Sequence, residues 1–428
     1  MRKALRAQKR IERDKQTKYE KLIKDKETYN YDDVFRYYHF IDKLPRCMED
    51  VSWKASVQNY YITSISKMFN DYLSLRERHL PKPVSDKEIV IYERGKARKI
   101  TPIHIKDRMT QKILCDEALV PVLSKKLIYD NGASLENKGV MFSRERMLWH
   151  LSKAIKEYGT DFYVLSFDFK SFFDSVPHKT CRYMLEKYFA DDEIVAMTME
   201  IIKSPHRVKI DKIKDKKIKS KELEKLENEE YCGICLGSQV SQIMALIVGN
   251  DLDHYIKDQM QVKHYVRYMD DGTIFAKTKE ELQVLYKGMT DVCNKLGLYF
   301  NVKKTHITKI RKGFTFLKVK YFVTSSGKII KKLTRAGIVR MRRKLKKFKR
   351  KVNVGEMTLD NVYDSMQSWL AHAEIAHSYN TVKHMLKLYN ELFNGYKITK
   401  KWEHYKGGHG NVLQADKWAE YRWCNILE

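Results

Sequence analysis

Two short runs of β-forming residues, Gln261–Arg267 and Thr273–Ala276, meet at Tyr268-Met-Asp-Asp-Gly272. Asp-Gly is a strong hairpin-turn dipeptide, so Asp270 and Asp271 are expected at a sharp, exposed corner between paired strands. Two like charges at such a corner need a counter-ion. Solvent supplies it in an ordinary polar turn, whereas a divalent-metal site requires a further ligand from elsewhere in the chain.

The segments around this corner set the fold class. Phe162-Tyr-Val-Leu-Ser-Phe-Asp168 reads as a buried strand ending in an acid, and His178 to Phe189 as a helix. Ser241 to Ile256 reads as an apolar helix leading into the hairpin, and Lys279 to Leu296 as the helix after it. Strands follow at Leu298 to Thr308 and Phe314 to Val323, closed by Ser325-Ser-Gly327. This order predicts an α+β fold with helices on one face of a small antiparallel sheet. Upstream, a charged helix-prone opening includes Tyr29 to Arg78, and Pro81 with Pro83 mark a boundary. Lys87 to Thr101 reads as strands around a cationic turn at Arg94-Gly95-Lys96, and Ile105 to Lys126 has helical spacing. Lys209 to Glu230 is mostly Lys, Glu and Asp; a solvated spacer is favoured there over an exposed helical hairpin.

The 428 residues suit two or three cooperating subdomains. With 83 Lys and Arg against 54 acids the formal net charge is +29, which makes nucleic acid the expected partner. Part of that charge is clustered. Lys331 to Lys351 holds twelve Lys or Arg and no acid, and its Leu333, Ile338, Val339, Met341, Leu345 and Phe348 suit one helix face, leaving the cations for a phosphate backbone. The seven cysteines are scattered and fit a reducing compartment, and Cys232-Gly-Ile-Cys235, lacking a second pair, reads as a tight turn and not as a zinc site. The opening ten residues lack the apolar core of a signal peptide, and no run approaches membrane-spanning length, so a cytoplasmic protein with no membrane partner is expected.

Asp168 can supply the missing ligand. Three carboxylates converging from neighbouring strands make a hard-oxygen site for two Mg²⁺ ions, with Mn²⁺ as a substitute, and such a pair suits in-line phosphoryl transfer. Phe167-Asp-Phe-Lys-Ser-Phe-Phe173-Asp174, Gly233-Ile-Cys-Leu-Gly237-Ser-Gln-Val-Ser-Gln242, Tyr268-Met-Asp-Asp271, Leu298-Tyr-Phe-Asn-Val-Lys-Lys304-Thr305 and Phe314-Thr-Phe-Leu-Lys318 occur in that order. Together they resemble the ordered motifs of reverse transcriptases, which here extend from about Glu88 to about Phe322. The resemblance implies a right-hand architecture: an N-terminal helical extension (1–80), fingers (81–160), a palm (161–325) with a charged insertion near 205–231, a helical thumb (326–396) and a tail of unknown role (397–428).

It also implies roles residue by residue. Asp168, Asp270 and Asp271 would be catalytic and, with the carbonyl of Phe169, would hold the metals. Phe173 would stand under the sugar as a gate against a 2′-hydroxyl; Arg94, Lys96 and Arg98 would grip the triphosphate; and Lys303 or Lys304 would protonate or hold the pyrophosphate. Leu236, Gly237 and Gln242 would line the nucleotide pocket. Where many reverse transcriptases carry Gln-Gly followed by Ser-Pro, this chain has Leu236-Gly237 and Ser241-Gln242, a pattern similar to that of diversity-generating retroelements. Loss of a polar donor and acceptor at Leu236 predicts weaker nucleotide discrimination.

Downstream, Trp369, His372 and His377 read as packing in the thumb, since the two histidines are not at helical metal-pair spacing. The resemblance implies an RNA-directed DNA polymerase of bacterial or phage type, in a retroelement or phage-defence setting. Its partners would be an RNA template, in particular a dedicated structured non-coding RNA, a DNA primer or product, and dNTPs; an accessory protein or a second copy is left open. Two alternatives stand beside it: a catalytically idle RNA-binding scaffold, and a template-independent or protein-primed DNA polymerase of abortive-infection defence.

Overall fold

The computed structural model describes residues 30–79, 89–93, 96–100 and 102–393, apart from the side chains at 93, 96 and 99. The chain divides into two compact units, Met1–Lys309 and Ile310–Glu428. The opening is helical as expected, with α1 (Tyr31–Val34), α2 (Tyr37–Met48), α3 (Ala55–Ile62) and α4 (Ser64–Arg76). On α2 the apolar spacing buries Phe40, Leu44 and Cys47, the face that packs on α5 (Ile105–Leu114). Between them β1 (Ile89–Glu93) pairs antiparallel with β2 (Lys96–Ile100). The boundary prolines and the turn residues Arg94 and Gly95 lie outside the described residues. A π-turn at Cys115–Leu119 joins α5 to α6 (Val120–Lys126), and α7 (Val140–Tyr158) leads into the central sheet.

That sheet is built from β3 (Tyr163–Asp168), β4 (Tyr265–Tyr268), β5 (Asp271–Ala276) and β6 (His306–Lys309), in the order β4-β5-β3-β6, each pair antiparallel. Between β3 and β4 the chain forms α8 (Phe172–Ser175), α9 (His178–Tyr188), α10 (Asp192–Asp211), α11 (Lys216–Glu227), α12 (Gln239–Ile247) and α13 (Asn250–His254). After β5 comes α14 (Lys279–Lys295), started by a capping box between Thr278 and Glu281. Helices α7 and α14 both pack against the sheet.

Several local expectations are corrected. The hairpin turns at Met269-Asp270, with Met269 at φ +53°, and Gly272 lies inside β5. Gly272 is small for another reason: opposite Phe167 in the ladder, a Cβ there would stand 2.1 Å from the Phe167 ring. The expected helix 241–256 breaks at Val248-Gly249, where a Cβ on Gly249 would meet the Arg267 guanidinium at 2.9 Å. The 209–230 segment is not a spacer. It completes a helical hairpin of α10 and α11 that buries Leu226 and the ion pair of Lys203 with Glu229. Of the expected strand 298–308 only the last three residues lie in a strand, His306–Lys309, because Asn301 folds the chain into a turn whose carbonyl accepts from the backbone of Lys304 and Thr305.

In the second unit, the expected strand 314–323 is a hairpin of β7 (Phe314–Phe316) and β8 (Val319–Val323). Leu317 and Lys318, both left-handed, form its turn. β9 (Ile329–Leu333) completes a three-stranded sheet. Helices α15 (Arg335–Asn353), α16 (Leu359–Glu374) and α17 (Tyr379–Leu392) share a separate core that includes Met341, Leu345, Met366, Leu370, Met385 and Tyr389. Leu333, expected on the basic helix, belongs to β9.

Candidate active site

β3 and β5 end together. Their register sets Asp168 directly opposite Asp271, and Asp270 precedes it in the two-residue turn, so three carboxylates gather at one end of the sheet. Asp168 is buried at 6% exposure, and its carbonyl accepts from the Asn301 backbone N–H at 2.7 Å. The Lys304 ammonium donates to both of its carboxylate oxygens, at 2.6 and 2.8 Å, and the Asn301 side-chain amide approaches one of them at 3.4 Å.

The charges respond as crowded acids should. Burial first, then the charges of Asp270 and Asp168, push Asp271 up to about 7, against the pull of Lys304. Asp270 is also raised, by burial and by Asp168, while Lys304 and Arg98 act in the opposite direction. Burial works against the Lys304 ammonium, yet its ion pair with Asp168 raises it above an ordinary lysine. Asp168, Asp270, Asp271 and Lys304 therefore form one electrostatic cluster, with Arg98 of β2 acting on it.

Of the other expected site residues, Phe173 is joined to the 233–237 loop. Phe173, half-buried on α8, packs against Phe172, and its carbonyl accepts from the Ile234 N–H at 2.8 Å. Gly233 donates to the Val176 carbonyl, so the 233–237 loop is tied to α8. Leu236 is half-buried, Gly237 is exposed at φ +106°, and Gln242 is exposed on α12. Ser238 caps α12 and donates to the Gln111 side chain at 2.9 Å. Phe169 is buried in a stack with Phe172 and Phe300, and Lys303 is exposed. Arg94 and the Lys96 side chain lie outside the described residues.

Among the described residues, no three His, Cys, Asp or Glu side chains are grouped as a metal site. The donor chemistry nevertheless fits a divalent cation: three carboxylates, two of them raised by burial and by their neighbours' charge, with an ammonium as their present counter-charge. A cation and the Lys304 ammonium would compete for the same two oxygens.

Residues 80–321, over half of the chain, match the family model described as reverse transcriptase (RNA-dependent DNA polymerase). The chain belongs to the reverse transcriptase family. That family is of nucleotidyltransferase type, acts on nucleic acid and uses divalent metals. No curated protein matches it. Among solved structures it is similar to an apo telomerase from Candida tropicalis truncated from its C-terminal domain, with 15% identity and a TM-score of 0.41 over 63% of this chain and 60% of that one. A telomerase from Candida albicans in complex with a fragment of telomeric RNA gives 15% identity and 0.41 over 74% and 55%. The chain thus spans under two thirds of either telomerase.

This reverse transcriptase holds its acidic turn with residues that motif reading passed over. Arg267, fully buried on β4, donates to the Met269 carbonyl at 3.0 Å and to the Leu246 carbonyl at 2.8 Å. Asp253, equally buried on α13, accepts from its Nε at 2.8 Å, from its Nη2 at 2.7 Å and from the Tyr265 hydroxyl at 2.6 Å. An acid inside the apolar run 241–256 was the available signal, since a buried charge requires a partner. No helix among the described residues is long and apolar enough to cross a membrane.

Proposed function

We propose that this reverse transcriptase copies an RNA template into DNA at Asp168, Asp270 and Asp271. The pairing of Asp168 with Asp271 at one sheet end, in a chain of this family, carries the reading. The three carboxylates, with the Phe169 carbonyl, would hold two Mg²⁺ ions. Bound there, such ions would supply activation of the attacking hydroxyl and charge stabilisation of the leaving pyrophosphate. The chain's own part is to hold the acids in register, through Lys304 on Asp168 and Arg267 behind the turn. Lys303 and Lys304 add positive charge for the pyrophosphate; Arg94, Lys96 and Arg98 add it for the triphosphate; Phe173 gates the sugar; and Leu236, Gly237 and Gln242 line the base pocket. In this reading 81–160 are fingers, 161–325 the palm and 326–396 the thumb, whose exposed cations on α15 track the nucleic-acid backbone.

Primer extension on an RNA template with Mg²⁺ tests the proposal. Wild type should extend, and Asp270→Asn with Asp271→Asn should lose at least about a thousandfold, since nearly all of this catalysis is electrostatic. An inactive wild type would favour an idle scaffold, and product without template or primer would favour untemplated or protein-primed synthesis. The charge of +29 supports a structured RNA partner, and the Leu236 pattern supports a bacterial retroelement or defence setting.

A further inference from the structure

Helix α7 carries a stripe that its folding does not require. Phe142, Arg146, Trp149, Lys153 and Lys156 recur at alternating four- and three-residue steps, so they share one face. The buried face runs through Ser143, Met147, His150 and Ala154, turned from the stripe by about 100°. Trp149 is 46% exposed, and Tyr129, from the preceding loop, is 64% exposed beside it.

Rings and cations alternate along this surface. The Arg146 guanidinium lies 4.9 Å from the centre of the Tyr129 ring and 4.5 Å from that of Trp149. The Lys138 ammonium is 5.3 Å from both Tyr129 and Phe142, and Lys153 is 5.5 Å from Trp149. The arrangement is anchored from below: buried Asp130 accepts from Arg146 at 2.6 Å and faces His150 at 2.9 Å and Lys257 at 3.4 Å. The backbone of Asp130 and Gly132 is in turn hydrogen-bonded to Arg267 of β4. Glu145 and Glu157 lie on the flanks, and Glu157 is paired with Lys263 and His264.

We propose that this face of α7 is a docking platform for single-stranded nucleic acid, separate from the carboxylate cluster. Exposed rings offer stacking to unpaired bases, and the interleaved cations meet phosphates; a stripe of this pattern suits a strand and not a duplex, whose bases are already stacked. From Arg146 to Lys156 the stripe covers about 15 Å of helix, room for several phosphates. The absence of acids from the stripe itself favours a polyanion over a protein surface of mixed charge. The proposal needs no catalysis, so it stands or falls independently of the polymerase reading.

The test uses the whole protein without divalent metal and without primer. A short oligouridylate carrying 4-thiouridine is photocrosslinked to wild type, and the modified peptides are mapped. Crosslinks at Tyr129 or within 141–153 are expected. In fluorescence anisotropy, Trp149→Ala and Tyr129→Ala should each weaken oligouridylate binding by about tenfold, with binding of blunt duplex RNA unchanged. Oligothymidylate run in parallel tells whether the strand is RNA or DNA by which binds tighter. Crosslinks confined to other regions, unchanged affinity in both variants, or duplex RNA or polyglutamate displacing the strand from this face equally well would overturn the proposal and leave the ladder a structural one.

Discussion

At Gly272 a single missing methyl group lets the Phe167 ring cross the acidic hairpin. Gly272→Ala should therefore cost about 1–3 kcal/mol by overpacking, measured by urea unfolding, and Phe167→Leu in the same chain should recover part of it. Leu236 makes a different kind of claim, about chemistry and not packing. If its apolar side chain relaxes nucleotide selection, Leu236→Gln should lower misincorporation by roughly tenfold in single-nucleotide extension assays. An unchanged error rate would remove Leu236 from the account of fidelity. Lys304 could be identified from its motif, but its grip on both oxygens of Asp168 depends on the turn at Asn301, which no local pattern announced.

Among elements, the link from α13 to β4 is the one whose loss should be felt at the acidic turn. Asp253 and Arg267 are both fully buried, so Asp253→Ala leaves an uncompensated guanidinium and should cost about 3–5 kcal/mol. Adding Arg267→Met should return a sizeable part of that, the non-additivity expected of a coupled pair. A double-mutant cycle by chemical denaturation reads it directly. Elements with long periodic runs were legible in the sequence: β3, α9, α14 and the opening helices stand close to their expected limits. What was missed shares a physical origin. The turns at Met269-Asp270 and Leu317-Lys318 place left-handed backbone on residues that do not favour it, so contacts elsewhere in the fold and not local propensity set them. Likewise Asp253 and Arg267 are 14 residues apart, and only the folded sheet edge brings them together. The carboxylates were readable because ordered motifs mark them; the brace behind them was not.

Across the whole molecule, acid should be the first stress to register. His178 is completely buried on α9, next to His206, with the Gly233 carbonyl accepting at 3.0 Å, and burial lowers it to about 4. The unfolded chain binds that proton near 6.5, so between pH 6.5 and 4 the unfolded state holds more protons and stability falls as pH drops. The contribution is intact above pH 6.5, and the loss amounts to about 3 kcal/mol by pH 4. His178→Gln should remove one proton's worth of that slope in urea titrations across the window. The ion pair at the acidic end of the sheet has the opposite bearing on durability. Because Lys304 already pairs with Asp168 from within, withdrawing divalent ions leaves only Asp270 and Asp271 without a direct counter-charge. Chelation should silence the enzyme and loosen it only slightly: the melting temperature in EDTA should lie a little below that in Mg²⁺, and activity should return when the ion is restored, so the protein can be purified and stored metal-free.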